Sequence, residues 1–150
     1  MKNVDVVVVQ PVNSKAASTL VELAEEYQVP VIAYDRIIQN AKYPFYVTQD
    51  SKLVGILQAK AAVKALGGKG NVIILKGQSG HSVANAISEG VLEVFKKYPD
   101  IKVVSQKSHN SWSSSLAMAT VENTLMKYKG KIGAILANNS GMANGAVQAI

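Results

Sequence analysis

Short apolar runs alternate with longer amphipathic stretches along the whole chain. The runs are rich in Val and Ile, which is typical of strands that are buried on both faces of a sheet. They predict strands at residues 5–9, 31–34, 72–75, 101–104 and 132–136. Residues 45–48 fit either a further short strand or a crossing segment.

The stretches between these runs carry apolar residues at helical spacing. They predict helices at residues 14–27, 51–66, 82–98, 114–128 and 141–150. Asn13 or Ser14 can cap the first helix, and Gly67-Gly68 ends the second. This alternation predicts an α/β fold, with a mostly parallel sheet and helices on both of its faces.

The composition of the 150 residues is that of a core-forming globular protein, with 48% hydrophobic and 17% charged residues. The formal net charge of +6 comes from lysines that are scattered over predicted helix surfaces and turns. They form no basic stripe with interleaved aromatic residues, so we expect no nucleic-acid partner.

Several kinds of segment and site are absent from the sequence. No apolar run approaches the ~20 residues of a membrane-spanning helix, and this chain carries no signal peptide. The absence of cysteine excludes disulfides and thiolate metal sites. The two histidines lie far apart without a cluster of carboxylates, so we expect no metal and no cofactor.

Asp35 and Arg36 stand side by side where the second apolar run ends. In open α/β sheets, ligands bind beyond the carboxyl ends of the strands. A carboxylate accepts hydroxyl hydrogen bonds and a guanidinium offers a rigid fork of donors, so the pair suits a small polyhydroxylated ligand. The alternative is an ion pair that only ties the strand end to a loop.

Gly77-Gln-Ser-Gly-His-Ser82 follows the third apolar run. A glycine-rich turn between strand and helix presents backbone N–H groups that suit phosphate or other oxygen-rich groups. The segment lacks the ending of a P-loop and the spacing of a dinucleotide fingerprint, so it indicates nucleotides only weakly. The alternative is a tight turn in which Ser79 or Ser82 caps the next helix.

Trp112 and Asn139 follow the last two apolar runs. Trp112 is the only tryptophan and lies in a polar loop, where an indole is well placed to stack on the apolar face of a sugar. Anchoring of the loop is the alternative role. The amide of Asn139 can bridge hydroxyl groups, or else Asn139 or Ser140 caps the final helix.

These residues do not predict an enzyme. His81 and His109 each lie near serines, but the sequence has no Gly-x-Ser-x-Gly elbow and no evident third member of a triad. Hydrolysis of a glycoside generally needs two carboxylates, and only Asp35 is well placed. Hydroxyl-binding groups beside one aromatic ring instead describe a binding cleft.

Taken together, these segments resemble the type I periplasmic sugar-binding proteins, and within them the D-xylose-binding branch. The similarity covers essentially the whole chain. It runs through Ala33-Tyr-Asp-Arg36, Pro44-Phe-Tyr-Val-Thr-Gln-Asp50, Leu57-Gln-Ala-Lys-Ala61, residues 112–125, and Asn139 with Gly145-Ala-Val-Gln-Ala149. The Asp-Arg pair is common to pentose and hexose members, whereas Trp112 and the Phe-Tyr segment point to the xylose branch.

The resemblance implies two Rossmann-like or flavodoxin-like lobes that close on a sugar about a hinge. Residues 1–49 would form part of the N-terminal lobe and residues 50–150 part of the C-terminal lobe, both incomplete relative to the family. The residues that match the family's sugar ligands by position are Asp35, Arg36, Trp112 and Asn139. The candidates in the glycine-rich turn, where the sequence departs from the family, are Gln78, His81 and Asn85.

The function implied by the resemblance is that of the substrate-binding component of a sugar ABC transporter. It would capture a monosaccharide, a pentose such as D-xylose, for a membrane permease, in the periplasm or on the cell surface as a lipoprotein. A sugar-sensing partner of a membrane kinase or chemoreceptor is one alternative, and the effector-binding core of a LacI-type repressor is another.

The resemblance also implies that segments on both sides of this chain are missing. The edge of the first strand would then be bare, and exposed strand edges invite association. We expect one of two outcomes: collapse of the strands into one compact flavodoxin-like sheet, or a homodimer that covers the edges.

Overall fold

The computed structural model describes residues 4–150, and every predicted strand and helix is present among them. The strands are β1 (Val7–Val9), β2 (Val31–Tyr34), β3 (Phe45–Val47), β4 (Gly70–Lys76), β5 (Ile101–Ser108) and β6 (Ala134–Ala137). The helices are α1 (Ser18–Glu26), α2 (Ser51–Leu66), α3 (Ser82–Phe95), α4 (Ser114–Lys127) and α5 (Ser140–Gln148). A short 3-10 helix, Asn110–Trp112, precedes α4.

Residues 1–3, which the sequence assigns to the N-terminal lobe, lie outside the described residues. Across residues 4–150, the helices are all too short or too polar to cross a membrane.

The described chain forms two compact units, each with its own three-stranded sheet. The first unit runs to Asp50 and includes His81–Val83, and the second comprises Ser51–Gly80 and Ala84–Ile150. All strand pairs are parallel, which confirms the α/β prediction. The expected collapse into one sheet is wrong: β1-β2-β3 and β5-β4-β6 are separate sheets, because each packs with its own helices around its own apolar core.

The core of the first unit forms where α1 covers β2. Val31 and Ala33 alternate toward this core, where they pack with Val21, Ala24 and Ile38. Helix α1 begins four residues later than predicted. The side-chain oxygen of Asn13 accepts hydrogen bonds from the backbone N–H groups of residues 15 and 16, each at 3.0 Å, and so forms a separate turn before the helix.

Strand β4 is the centre of the second unit, and residues 72–75 within it are fully buried. Val72 and Ile74 face one core, which α2 and α3 cover, whereas Ile73 and Leu75 face another, which α4 and α5 cover. Helices therefore lie on both faces of this sheet, as predicted. Strand β5 is four residues longer than predicted and reaches Ser108, because it pairs with β4 along the whole length of that strand.

Candidate functional site

Each sheet has polar groups at the carboxyl ends of neighbouring parallel strands. In the first unit, Gln10 follows β1 and Asp35 with Arg36 follows β2. The side-chain amide of Gln10 donates to Asp35 Oδ2 at 3.0 Å. Sequence reasoning missed Gln10, although the rule that selected Asp35 also applies to it: both residues directly follow an apolar strand.

The backbone at Asp35 turns tightly. Its φ of +62° lies in the left-handed region, which aspartate tolerates better than most residues. The N–H of Asp35 donates to the carbonyl of Val47 at 2.8 Å, and the N–H of Arg36 donates to the carbonyl of Tyr34 at 2.6 Å. The hydroxyls of Tyr46 and Thr48 both donate to the carbonyl oxygen of Asp35, at 3.2 and 2.9 Å. These four hydrogen bonds hold the backbone of Asp35 and Arg36 in place at the end of β2.

The side chains of Asp35 and Arg36 are oriented by this turn and remain partly exposed. Arg36 Nε lies 3.6 Å from Asp35 Oδ2, which is an ion pair but too long for a good hydrogen bond. Arg36 Nη1 donates to the carbonyl of Pro11 at 3.1 Å. Side-chain exposures of 30% for Asp35 and 21% for Arg36 leave polar surface for a ligand. The pair does tie the strand end to its loops, as in the alternative interpretation. Hydrogen-bonding groups of both side chains nevertheless remain exposed and can contact a ligand.

His81 is buried and belongs to the same unit as this pair. Burial lowers the pKa of His81, and the positive charge of Arg36 lowers that pKa further, while the carboxylate of Asp35 opposes both effects. The imidazole is therefore held in its neutral form more firmly than an ordinary histidine at neutral pH.

In the second unit, Asn138 joins the ends of β6 and β4. Its side-chain oxygen accepts from the backbone N–H of Gly77 at 3.0 Å and from Ser88 Oγ at 3.4 Å. Sequence reasoning placed Asn138 in the polar segment after β6 but gave the role there to Asn139. The side-chain oxygen of Asn139 accepts from the N–H of Met142 at 2.8 Å, so Asn139 is the N-cap of α5. Its amide nitrogen keeps two donors, and its role as a ligand stays a prediction.

Gln78 and Trp112 come together where the turn after β4 meets the loop after β5. Gln78 Oε1 accepts from the backbone N–H of Ser111 at 3.2 Å. The indole of Trp112 is partly buried, lies against Gly77 and packs on the apolar core of α4 and α5. Trp112 thus anchors its loop, and the predicted stacking on a sugar would use the part of the ring that remains exposed. Asn85 is exposed on α3, on the helix that follows this turn.

His109 locks the same loop and has no serine among its ring partners. Both its backbone N–H and its ring Nδ1 lie 3.0 Å from the carbonyl oxygen of Lys76. A carbonyl only accepts, so Nδ1 carries the proton, and in the neutral ring Nε2 accepts from Thr120 Oγ1 at 3.0 Å. This fully used, buried imidazole is a structural group, which weakens the hydrolase interpretation further.

Of the two caps predicted for α3, the structure contradicts Ser82, whereas Ser79 stays a prediction. Ser82 is the first residue of α3, and its hydroxyl is buried without a hydrogen-bond partner among the described residues, so Ser82 does not cap the helix. No group of three or more His, Asp or Glu side chains within residues 4–150 is arranged to hold a metal ion.

An apolar groove follows the outer edge of β6, where Ala62, Ile135 and Val147 line it. Its surface is mainly hydrocarbon, although Gln58 donates from its rim to the carbonyl of Ala137 at 3.1 Å. The predicted ligand residues do not line it, and a hydroxyl-rich ligand needs polar partners. This groove is therefore not the candidate site.

Comparison with known proteins finds relatives of this chain. A family model described as a periplasmic binding protein domain matches residues 1–150. The chain belongs to the periplasmic binding protein family. The D-xylose-binding periplasmic protein of Escherichia coli K12 is 36% identical over 99% of this chain and 46% of its own length.

Solved structures of family members have the same fold. The periplasmic solute-binding protein of an ABC transporter from Actinobacillus succinogenes, with bound D-allose, has a TM-score of 0.89 and 35% identity over 97% of this chain and 53% of its own. The fructose-binding periplasmic domain of a hybrid two component system has a TM-score of 0.89 and 31% identity over 97% of this chain and 48% of its own. The chain thus spans about half the length of these family members, which bind different sugars.

Proposed function

We propose that this chain is part of the substrate-binding component of a sugar ABC transporter, and that its ligand is a monosaccharide, D-xylose. The observation that carries the proposal is the Asp35–Arg36 pair. It stands at a strand end in a left-handed turn, with Gln10 and Pro11 orienting its two side chains. Such a pair accepts from one sugar hydroxyl and donates to another without reorganising.

The proposed ligand set has further members, which the resemblance to the family implies. The indole of Trp112 supplies an apolar face, which suits the C–H face of a pyranose. The amide nitrogen of Asn139 supplies donors, with Gln78, His81 and Asn85 as further candidates. A carboxylate, a guanidinium, amides and one aromatic ring are the mixture that recognises a neutral polyhydroxylated molecule.

We further propose that the protein binds its sugar without chemical change. Among these candidate residues Asp35 is the one carboxylate, whereas glycoside hydrolysis generally uses two. The proposed location is the periplasm or the outer cell surface. The name of the D-xylose-binding relative, which is a periplasmic protein, supports this proposal. The proposed partner is a membrane permease.

A second candidate is sugar sensing, which the similarity to a periplasmic domain of a hybrid two component system favours. Sensing and transport make different predictions in a deletion strain. Loss of sugar uptake supports the transporter, whereas intact uptake with loss of sugar-induced transcription supports the sensor. The homodimer expected from the sequence stays a prediction, which light scattering would test.

The decisive experiment is isothermal titration of the complete polypeptide that carries this sequence, with D-xylose, D-ribose, D-allose and D-fructose in turn. D-xylose should bind most tightly. Asp35→Asn should weaken binding by roughly 10- to 100-fold, the range for a hydrogen bond to a charged group. Asp100→Asn is the matched control, because Asp100 is exposed in the turn before β5. Absence of heat with all four sugars would refute the proposal.

A further inference from the structure

The indole of Trp112 rests on a position that has no side chain. An ideal Cβ built on Gly77 would stand less than 3.0 Å from three carbons of the six-membered ring, Cη2, Cζ3 and Cε3. Those ring carbons are the nearest heavy atoms to the added Cβ. The ring, rather than any backbone atom, is therefore what first excludes a larger residue at position 77.

The backbone at Ser111 and Trp112 adopts an unfavourable conformation, and this conformation orients the indole. Ser111 has a φ of +53° and Trp112 a φ of +56°, both in the left-handed region, which residues with a side chain rarely adopt. Two successive residues of this kind persist only where their surroundings hold them. Here the N–H of Ser111 donates to Gln78, and the N–H of Trp112 donates to the carbonyl of His109 at 3.1 Å.

The supports of this loop come from the end of β4. The carbonyl of Lys76 accepts from the backbone N–H and the ring Nδ1–H of His109, Gly77 faces the indole, and the side chain of Gln78 accepts from the backbone N–H of Ser111. Three consecutive residues of one strand end thus position one aromatic side chain. Its plane is set before any ligand arrives, and pre-organisation of this kind reduces the ordering cost of binding.

We propose that Gly77 is a positioning residue for the Trp112 indole, and that it sets the plane on which the sugar stacks. This inference deepens the proposed function and rests on it for the identity of the ligand. The placement of the ring by Gly77 is separately measurable, because Trp112 is the only tryptophan in the chain.

The first test is the fluorescence of Trp112 without sugar. Gly77→Ala should displace the partly buried ring, shift its emission to longer wavelength and increase quenching by acrylamide. Gly141→Ala is the matched control, because an added Cβ there meets Asn139 side-chain atoms at 3.7 and 3.8 Å, which is ordinary contact. An unchanged spectrum in Gly77→Ala would overturn the proposal.

The second test is a double-mutant cycle with Trp112→Ala, which applies even if Gly77→Ala alone folds poorly. Without the ring, alanine at position 77 should fit, so Gly77→Ala should destabilise the parent protein far more than the Trp112→Ala variant. Equal destabilisation in both backgrounds would show that the ring is not what needs the glycine.

The third test is sugar affinity. Gly77→Ala should weaken D-xylose binding about five- to tenfold, which corresponds to the loss of one well-aligned aromatic contact. Unchanged affinity together with a changed spectrum would overturn the role in stacking. If the parent binds no sugar, the proposed function fails, while the spectrum and the cycle still decide whether Gly77 places the ring.

Discussion

The backbone N–H of Gly77 donates to the side-chain oxygen of Asn138 at 3.0 Å, and this bond ties the end of β4 to the end of β6. Gly77 is buried, so its N–H depends on that oxygen. Both residues adjoin predicted ligand groups: Gln78 follows Gly77, and Asn139 follows Asn138. The bond therefore connects two parts of the candidate site.

Asn138→Ala should lower the free energy of unfolding by about 1–3 kcal/mol, because it leaves a buried donor without an acceptor. Asn138→Asp keeps an oxygen at the same place and should cost less. Urea unfolding of the two variants beside the parent measures the difference. Equal losses for alanine and aspartate would mean that the acceptor oxygen is not what matters.

Helices α2 and α3 meet through two glycines. A Cβ on Gly55 would lie within 3.0 Å of the carbonyl oxygen of Ile87, and a Cβ on Gly90 would lie as close to the carbonyl oxygen of Lys52. Gly55→Ala or Gly90→Ala should each lower the free energy of unfolding by about 1–3 kcal/mol through overpacking, which outweighs the better helix propensity of alanine. Thermal unfolding checks this, and a rise in melting temperature for either variant would contradict it.

The residue that follows the C-cap of α1 has a side chain at a position where glycine is usual. Gln28 has a φ of +56°, and the next N–H, that of Val29, donates to the carbonyl of Ala24 at 2.8 Å. At the end of α2, Gly67 occupies the equivalent position with a φ of +62°. Gln28→Gly should therefore raise the free energy of unfolding by about 0.5–1 kcal/mol, since glycine adopts this backbone without strain.

The reciprocal change, Gly67→Ala, is the control for that prediction and should destabilise by a similar amount. Its Cβ would meet nothing within 4 Å, so the backbone conformation alone is tested there. Chemical denaturation of both variants gives the comparison. Destabilisation by Gln28→Gly would show that the glutamine side chain makes a compensating contribution.

Burial of His81 makes the stability depend on pH. Because the pKa of His81 is lowered from the usual 6.5, the unfolded chain takes up a proton before the folded one as the pH falls. The contribution of His81 is thus complete above pH 6.5 and is lost as the pH falls through the lowered pKa. Between about pH 7.5 and 5.5 the parent should lose more stability than His81→Gln, which carries no titrating group.

Urea unfolding at several pH values in that window measures the slope for each protein. The difference between the two slopes isolates His81 from carboxylates, most of which titrate at lower pH. Parallel slopes would show that the environment of His81 does not favour its neutral form.

Apolar periodicity was enough to predict the order and type of the elements, because it reports local burial directly. Val31–Tyr34 and Ser51–Leu66 were placed to the residue, the first by its short apolar run and the second by its terminal glycines. The same pattern located Asp35, Trp112 and Asn139 just beyond strands or at the start of helices. Ligands bind beyond the carboxyl ends of the strands in open parallel sheets, so these positions are the candidates for binding residues.

The contacts of these side chains could not be predicted from the sequence, because they depend on tertiary packing. Nothing local reveals that Gln10 bonds Asp35, that Asn138 bonds Gly77 or that His109 bonds Thr120, because each pair is joined by packing between separate elements. Apolar periodicity did not reveal the division into two sheets either, since an apolar run does not record which strand it pairs with; two lobes were implied only by the resemblance to the family. A hydrophobic pattern specifies which face of an element is buried, whereas the partner on that face depends on how the whole chain packs.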